Sequence, residues 1–224
     1  MPKLLIAGLV ILLIVAFWRR WLKQRRAGYI DTYPYQGILD KRLAARRPEL
    51  SAEQRVETLL ALTDYFHLCR RAGRRMVSMP SQAADDAWHE FILFTRYYDK
   101  FCRAAFGRFL HHTPAEAMRS PTQASDGLKR AWRLACFHEG IDPKKPDRLP
   151  RLFALDARLG IAGGFVYQLD CLATNGGAAG SDFCASHIGC GSGSSGCGGS
   201  SGCSGDSDGG GDGGSGCGGG CGGD

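Results

Sequence analysis

The first side chains in this 224-residue chain whose types and spacing could do chemistry are an aspartate and a histidine four residues apart, Asp85 and His89. On a helix that interval puts both on one face. Asp86, three before His89, is a further neighbour. Two more histidines, His111 and His112, follow Gly107, where the helix should break, so the chain could fold back and set either imidazole beside His89. A carboxylate with two imidazoles suits zinc or iron. Asp85, His89 and one of His111 or His112 are therefore candidate metal ligands. Cys102, thirteen residues beyond His89, would lie about 20 Å further along one continuous helix and cannot join them there. The competing reading is structural. The Asp would orient a ring or cap a neighbour, Trp88 and His89 would pack, and the His pair would anchor a loop to backbone carbonyls.

Recognised catalytic patterns are absent. There is no nucleophile elbow, phosphate loop or dinucleotide fingerprint. His89-Glu90 opens like a zincin motif, but Leu93 stands where the second His would be needed. Cys69, Cys102 and Cys136 are lone cysteines at apolar helical positions, where packing is the default. His67 and His138 have no evident partner.

The remaining seven of ten cysteines lie in residues 171–224, with 22 of the 32 glycines and no Lys or Arg. Such a stretch cannot offset its ordering entropy by apolar burial, so it reads as a disordered Gly/Ser/Cys-rich tail. No Cys-x2-Cys pair occurs in it. Its one ligand-like cluster is Cys184, His187 and Cys190. Thiolate chelation of a soft metal by the tail, or cyclisation of its Cys and Ser onto the backbone, are the alternatives to a plain solvated tail.

Charge divides the chain in the same place. The first 170 residues carry +11 and the tail −5, for a net +6. A strongly basic body attracts anionic lipid or nucleic acid. Lipid is the simpler partner, because much of the charge flanks an apolar run, and nucleic acid is not expected.

That run, Leu4 to Trp18, is uncharged, and Trp21 and Leu22 extend it past Arg19 and Arg20. A bilayer needs about 20 residues, which residues 4–22 approach if Trp18 and Trp21 sit at the headgroups and the arginines snorkel. A signal peptide carries its positive charge ahead of the apolar stretch. Here only Lys3 precedes it, whereas Arg19, Arg20, Lys23, Arg25 and Arg26 follow. An uncleaved single-pass anchor is expected, with the following domain on the cytoplasmic side and its thiols reduced.

Helical signals recur between the two ends. Ser51 and Gln54 form a capping box ahead of a 3-4 pattern of apolar residues, predicting a helix over 51–72 that stops at Gly73. Ser81 caps the next, apolar on two faces and predicted to run unbroken to Gly107 as the central helix. Further helices are expected over 37–46, 121–138 and 150–159. Gly127 makes the first turns of the 121–138 helix a weaker expectation. The fold class is all-α: an anchor over 1–28, a small helical bundle over 29–170, and the tail over 171–224.

Pro80, Asp85, Trp88, His89, Tyr98, Cys102, Gly107, His111 and His112 form a pattern, Pro-x4-acid-x2-Trp-His followed by Tyr, Cys and Gly-x3-His. It resembles the glycine-rich domain-containing protein-like family over about residues 50–160. The Gly-rich C-terminus also looks like that family. The resemblance marks kinship and implies no particular reaction. In the absence of a complete catalytic constellation, the leading expectation is a membrane-anchored scaffold or interaction module with an as yet unnamed protein partner. The rivals are a metal-binding protein or metal-dependent enzyme using Asp85, His89 and His111 or His112, and metal chelation by the tail thiols alone.

Overall fold

The computed structural model describes residues 2–112, 121–169 and 183–184. Among these are seven helices: α1 (Pro2–Asp31), α2 (Tyr35–Arg46), α3 (Ala52–Ala72), α4 (Gln82–Leu93), α5 (Thr95–Phe106), α6 (Pro121–Glu139) and α7 (Arg151–Leu159). The all-α expectation holds. The one ordered β feature among the described residues is a two-residue parallel pair, β1 (Tyr167–Gln168) with β2 (Phe183–Cys184). It gives two residues of the expected tail a backbone partner within the domain. The rest of 171–224 lies outside the described residues.

α3 is central, packing against α1, α2, α4, α6 and α7. Its start is set locally. The Ser51 hydroxyl accepts from the Gln54 amide at 3.3 Å and the Gln54 side chain accepts from the Ser51 amide at 2.8 Å, which completes the capping box. It ends at Gly73, whose φ of +66° suits glycine. Gly107 and Gly160 end α5 and α7 in the left-handed helical region. The core is aromatic: Tyr35, Phe66, Phe91 and Phe101 have ring centroids 5.0–6.2 Å apart, in mostly tilted or edge-on pairs.

The single long helix expected over 82–107 is two. α4 closes at Phe94, whose amide bonds back to the Phe91 carbonyl at 3.0 Å and whose ψ is 58°. α5 then restarts, with the Tyr98 amide bonding to the Phe94 carbonyl. The cause is tertiary. A straight helix would carry the aromatic face of its second half away from the core. The turn brings Tyr98 and Phe101 each to 5.2 Å from the Phe91 ring and buries Tyr98, Phe101, Cys102, Ala105 and Phe106. Burying each large side chain contributes roughly 1.5–3 kcal/mol, enough together to outweigh one interrupted turn.

The expected boundary between anchor and domain at residues 28/29 is not a break either. α1 runs without interruption from the apolar segment to Asp31. Residues 5–18 are exposed along their length, and the helix is long and apolar enough to cross a membrane. Its last turns are part of the bundle: Ile30 is fully buried, Tyr29 packs on Phe101, and Arg26 lies where a Cβ at Gly107 would have to go. Asp31 at a helix C-terminus opposes the helix dipole, and His67 Nε2 at 2.7 Å offsets this. His67 is buried, with His138 stacked on it at 5.3 Å. Burial holds its pKa below the ordinary value; Asp31 pushes it up, while His138 and Arg70 lower it further. A folded pKa below the unfolded one means stability is present above about pH 6.5 and is lost as pH falls below it. Denaturation midpoints should therefore drop on that acid limb in the native chain, and the drop should be smaller in His67→Gln. Parallel pH profiles for the two proteins would dismiss the effect.

Candidate metal centre

The site begins with what fixes the start of α4. Ser81 Oγ accepts from the Ala84 amide and donates to Asp156 Oδ1 at 2.7 Å. The Asp156 carboxylate, buried on α7, also accepts from the amides of Gln82 at 2.6 Å, Ala83 at 3.1 Å and Phe165 at 2.9 Å. A carboxylate at a helix N-terminus satisfies orphan amides and complements the dipole. It sets where α4 starts, and hence where Asp85 and His89 stand.

Asp85 lies in the first turn of α4 and His89 one turn on. The loop 107–112 after α5 returns to meet them. His112 Nε2 is 2.9 Å from Asp85 Oδ1, and His89 Nδ1 is 3.4 Å from Asp85 Oδ2. The His89 and His112 rings have centroids 4.3 Å apart. One ligand-type atom from each of the three lies within 4.8 Å of the others. The Asp85 and His112 side chains are 20% and 15% exposed, whereas that of His89 is 43% exposed, so the cluster is half-buried and most open at His89.

Of the four residues singled out from sequence, the fold brings three together. His111 is exposed and its ring sits against Phe109 at 4.9 Å, away from the cluster. Asp86, the other carboxylate near His89, is buried and taken by arginines. Arg47 Nε donates to it at 2.7 Å, and Arg46 approaches at 3.3 Å. Bonding to Asp86, the strongest of the effects that raise it, keeps the Arg47 pKa above its ordinary value despite burial.

The loop that delivers His112 is held by a chain of hydrogen bonds. Trp88 Nε1 donates to the Tyr98 hydroxyl at 3.0 Å, and that hydroxyl donates to the Leu110 carbonyl at 2.5 Å. The Leu110 amide bonds the Cys102 thiol. The Arg108 guanidinium donates to the Gly73 carbonyl at the end of α3. His112 then lies edge-on to Trp88, centroids 4.5 Å apart. Trp88, Tyr98, Cys102 and Gly107 thus all act on the segment that ends in His112. Sequence reading grouped these residues without showing their connections. Asp156 it missed, because all its partners on the α4 side are 73–75 residues away.

The described thiols belong to the core. Cys69, Cys102 and Cys136 are free and buried. Burial pushes Cys69 and Cys136 up to about 12 and raises Cys102, so each stays protonated near neutrality. Among the tail candidates, His187, Cys190 and the side chain of Cys184 lie outside the described residues. Trp18, Arg19, Arg20 and Trp21 lie on α1 and are exposed.

No curated protein and no solved structure matches the chain. A family model does match, over residues 25–188, a span that takes in the last turns of α1 and all the site residues. The chain belongs to the UCP032817-like family.

Proposed function

We propose that this is a membrane-anchored metal protein. α1 spans the bilayer with the bundle on the cytoplasmic side, and Asp85, His89 and His112 bind one divalent transition-metal ion, zinc or iron(II). The observation that carries the reading is the convergence of a carboxylate and two imidazoles from two elements on one half-buried cluster. Two imidazoles and a carboxylate leave coordination positions free, the arrangement that lets a metal take water or a small ligand. Zinc held by these three residues would supply Lewis-acid chemistry, and iron(II) would supply redox chemistry. On this reading the pattern of Trp88, Tyr98, Cys102 and Gly107 is the device that holds His112.

Elemental analysis of the reduced, anaerobically purified full chain tests it. About one equivalent of metal is expected. His112→Ala and Asp85→Ala should each lose it, and His111→Ala should keep it. The same stoichiometry should survive replacement of the seven cysteines beyond residue 170 by serine; loss of metal there would move binding to the tail thiols. A chain that purifies metal-free and takes up neither zinc nor iron(II) on titration would end the proposal. The interaction-module reading then stands in its place, supported by Leu93 and Tyr97, which are 62% and 60% exposed at the α4–α5 turn. Recovery of a specific partner that is lost on Leu93→Asp would carry it.

A further inference from the structure

We propose that the exposed cationic collar of α1, Arg19, Arg20, Lys23 and Arg25, binds anionic phospholipid headgroups and enriches them around the anchor. This rests on the reading of α1 as a membrane span. Between Met1 and Ile30 the chain carries no Asp or Glu, so no acid of its own helix neutralises the collar. No described carboxylate makes an ion pair with any of the four; the contact recorded is Arg25 over the Trp21 ring at 5.3 Å. All four are exposed.

Position matches the partner. At about 1.5 Å per residue, Arg19 to Arg25 covers about 9 Å along the helix. The polar layer on each side of a bilayer is about 5–7 Å thick. With Trp18 and Trp21 at its apolar edge, the collar falls within and just above the phosphates. Five basic residues within eight positions beside a span are the pattern that attracts anionic lipid, each cation near the surface adding to the attraction. Arg26, the fifth, turns toward Gly107 and the bundle, which leaves the other four for lipid. Because α1 continues into the bundle without a linker, a ring of anionic lipid here also fixes how close the domain sits to the membrane.

The four tryptophans allow a direct test on the full chain. Trp88 and Trp132 are buried in the bundle at 3% and 0% exposure, while Trp18 and Trp21 face outward. In phosphatidylcholine vesicles, quenching by acyl-brominated lipid therefore reports on the two anchor residues. Brominated phosphatidylglycerol is expected to quench as though enriched roughly threefold to tenfold over brominated phosphatidylcholine at equal mole fraction. High salt should shrink that preference, and Arg19→Gln with Arg20→Gln, Lys23→Gln and Arg25→Gln should remove it without lowering total quenching. Equal quenching by the two lipids overturns the proposal while leaving the anchor in place. No quenching by either overturns the anchor reading as well.

Discussion

Asp156→Ala is expected to lower the unfolding free energy by about 4 kcal/mol, more than any other single loss of a polar group among the described residues. Its carboxylate accepts four hydrogen bonds, three of them from backbone amides and one from Ser81. The Gln82 and Ala83 amides belong to the first turn of α4, where no intrahelical acceptor exists. An alanine would strand them at a buried and a partly buried position, and each buried unsatisfied donor costs roughly 1–3 kcal/mol. The surroundings leave little room for repair. A Cβ on Gly164 would sit 2.8 Å from the Asp156 Cβ, so the 161–165 turn is already pressed against the carboxylate and carries the Phe165 amide to it. Asp156→Asn should recover little, because an amide nitrogen cannot accept from backbone N–H groups and one of its two ends must face a donor. Denaturant titration of the detergent-solubilised chain, followed by near-ultraviolet circular dichroism, gives the difference. A loss below about 1 kcal/mol would mean that water reaches these amides and that Asp156 is a local cap only.

How far the chain could be read without its fold follows from the range of the forces involved. Helix ends are decided within about four residues, so the Ser51–Gln54 box, the Ser81 cap and the stops at Gly73 and Gly107 were visible as patterns. The pairing of Asp85 with His89 was visible for the same reason. The turn at Phe94 was not. No Gly or Pro marks it, and its cause is the packing of Phe91 against Tyr98 and Phe101. Sequence spacing could not choose between His111 and His112 either. That choice is made by the Leu110 carbonyl and amide, fixed to Tyr98 and Cys102, which orient the backbone so that His112 turns inward and His111 outward. The continuity of α1 with the bundle escaped for a related reason. Arg26 and Ile30 look like flank and linker until Gly107 and α3 are placed beside them.

Tyr98→Phe then separates a residue that packs from one that positions. The ring is kept and one oxygen is removed, so the aromatic contacts to Phe91 and Phe109 remain. The Trp88 N–H and the Leu110 carbonyl, both bonded to that oxygen, lose their partner in a buried place. Stability should fall by about 2–3 kcal/mol. If Asp85, His89 and His112 hold a metal, its affinity should fall as well, by about 10- to 100-fold, the range seen when a group that orients a ligand is removed. Leu110 is two residues before His112, and a loop free to shift by even an ångström moves the imidazole out of reach of an ion that requires about 2.0–2.1 Å to nitrogen. Loss of stability alone could mimic this, so a comparison is needed. Trp132→Phe removes the bond from the indole to the Pro143 carbonyl and lies on α6, a helix that packs mainly on α3 rather than on α4 or α5. It should lower the denaturation midpoint while leaving the metal titration unchanged. Equal loss of affinity in both variants would reduce Tyr98 to a stabilising residue. Loss confined to Tyr98→Phe, with His111→Ala indistinguishable from the native chain, would show that the Trp88–Tyr98–Leu110 chain exists to place His112.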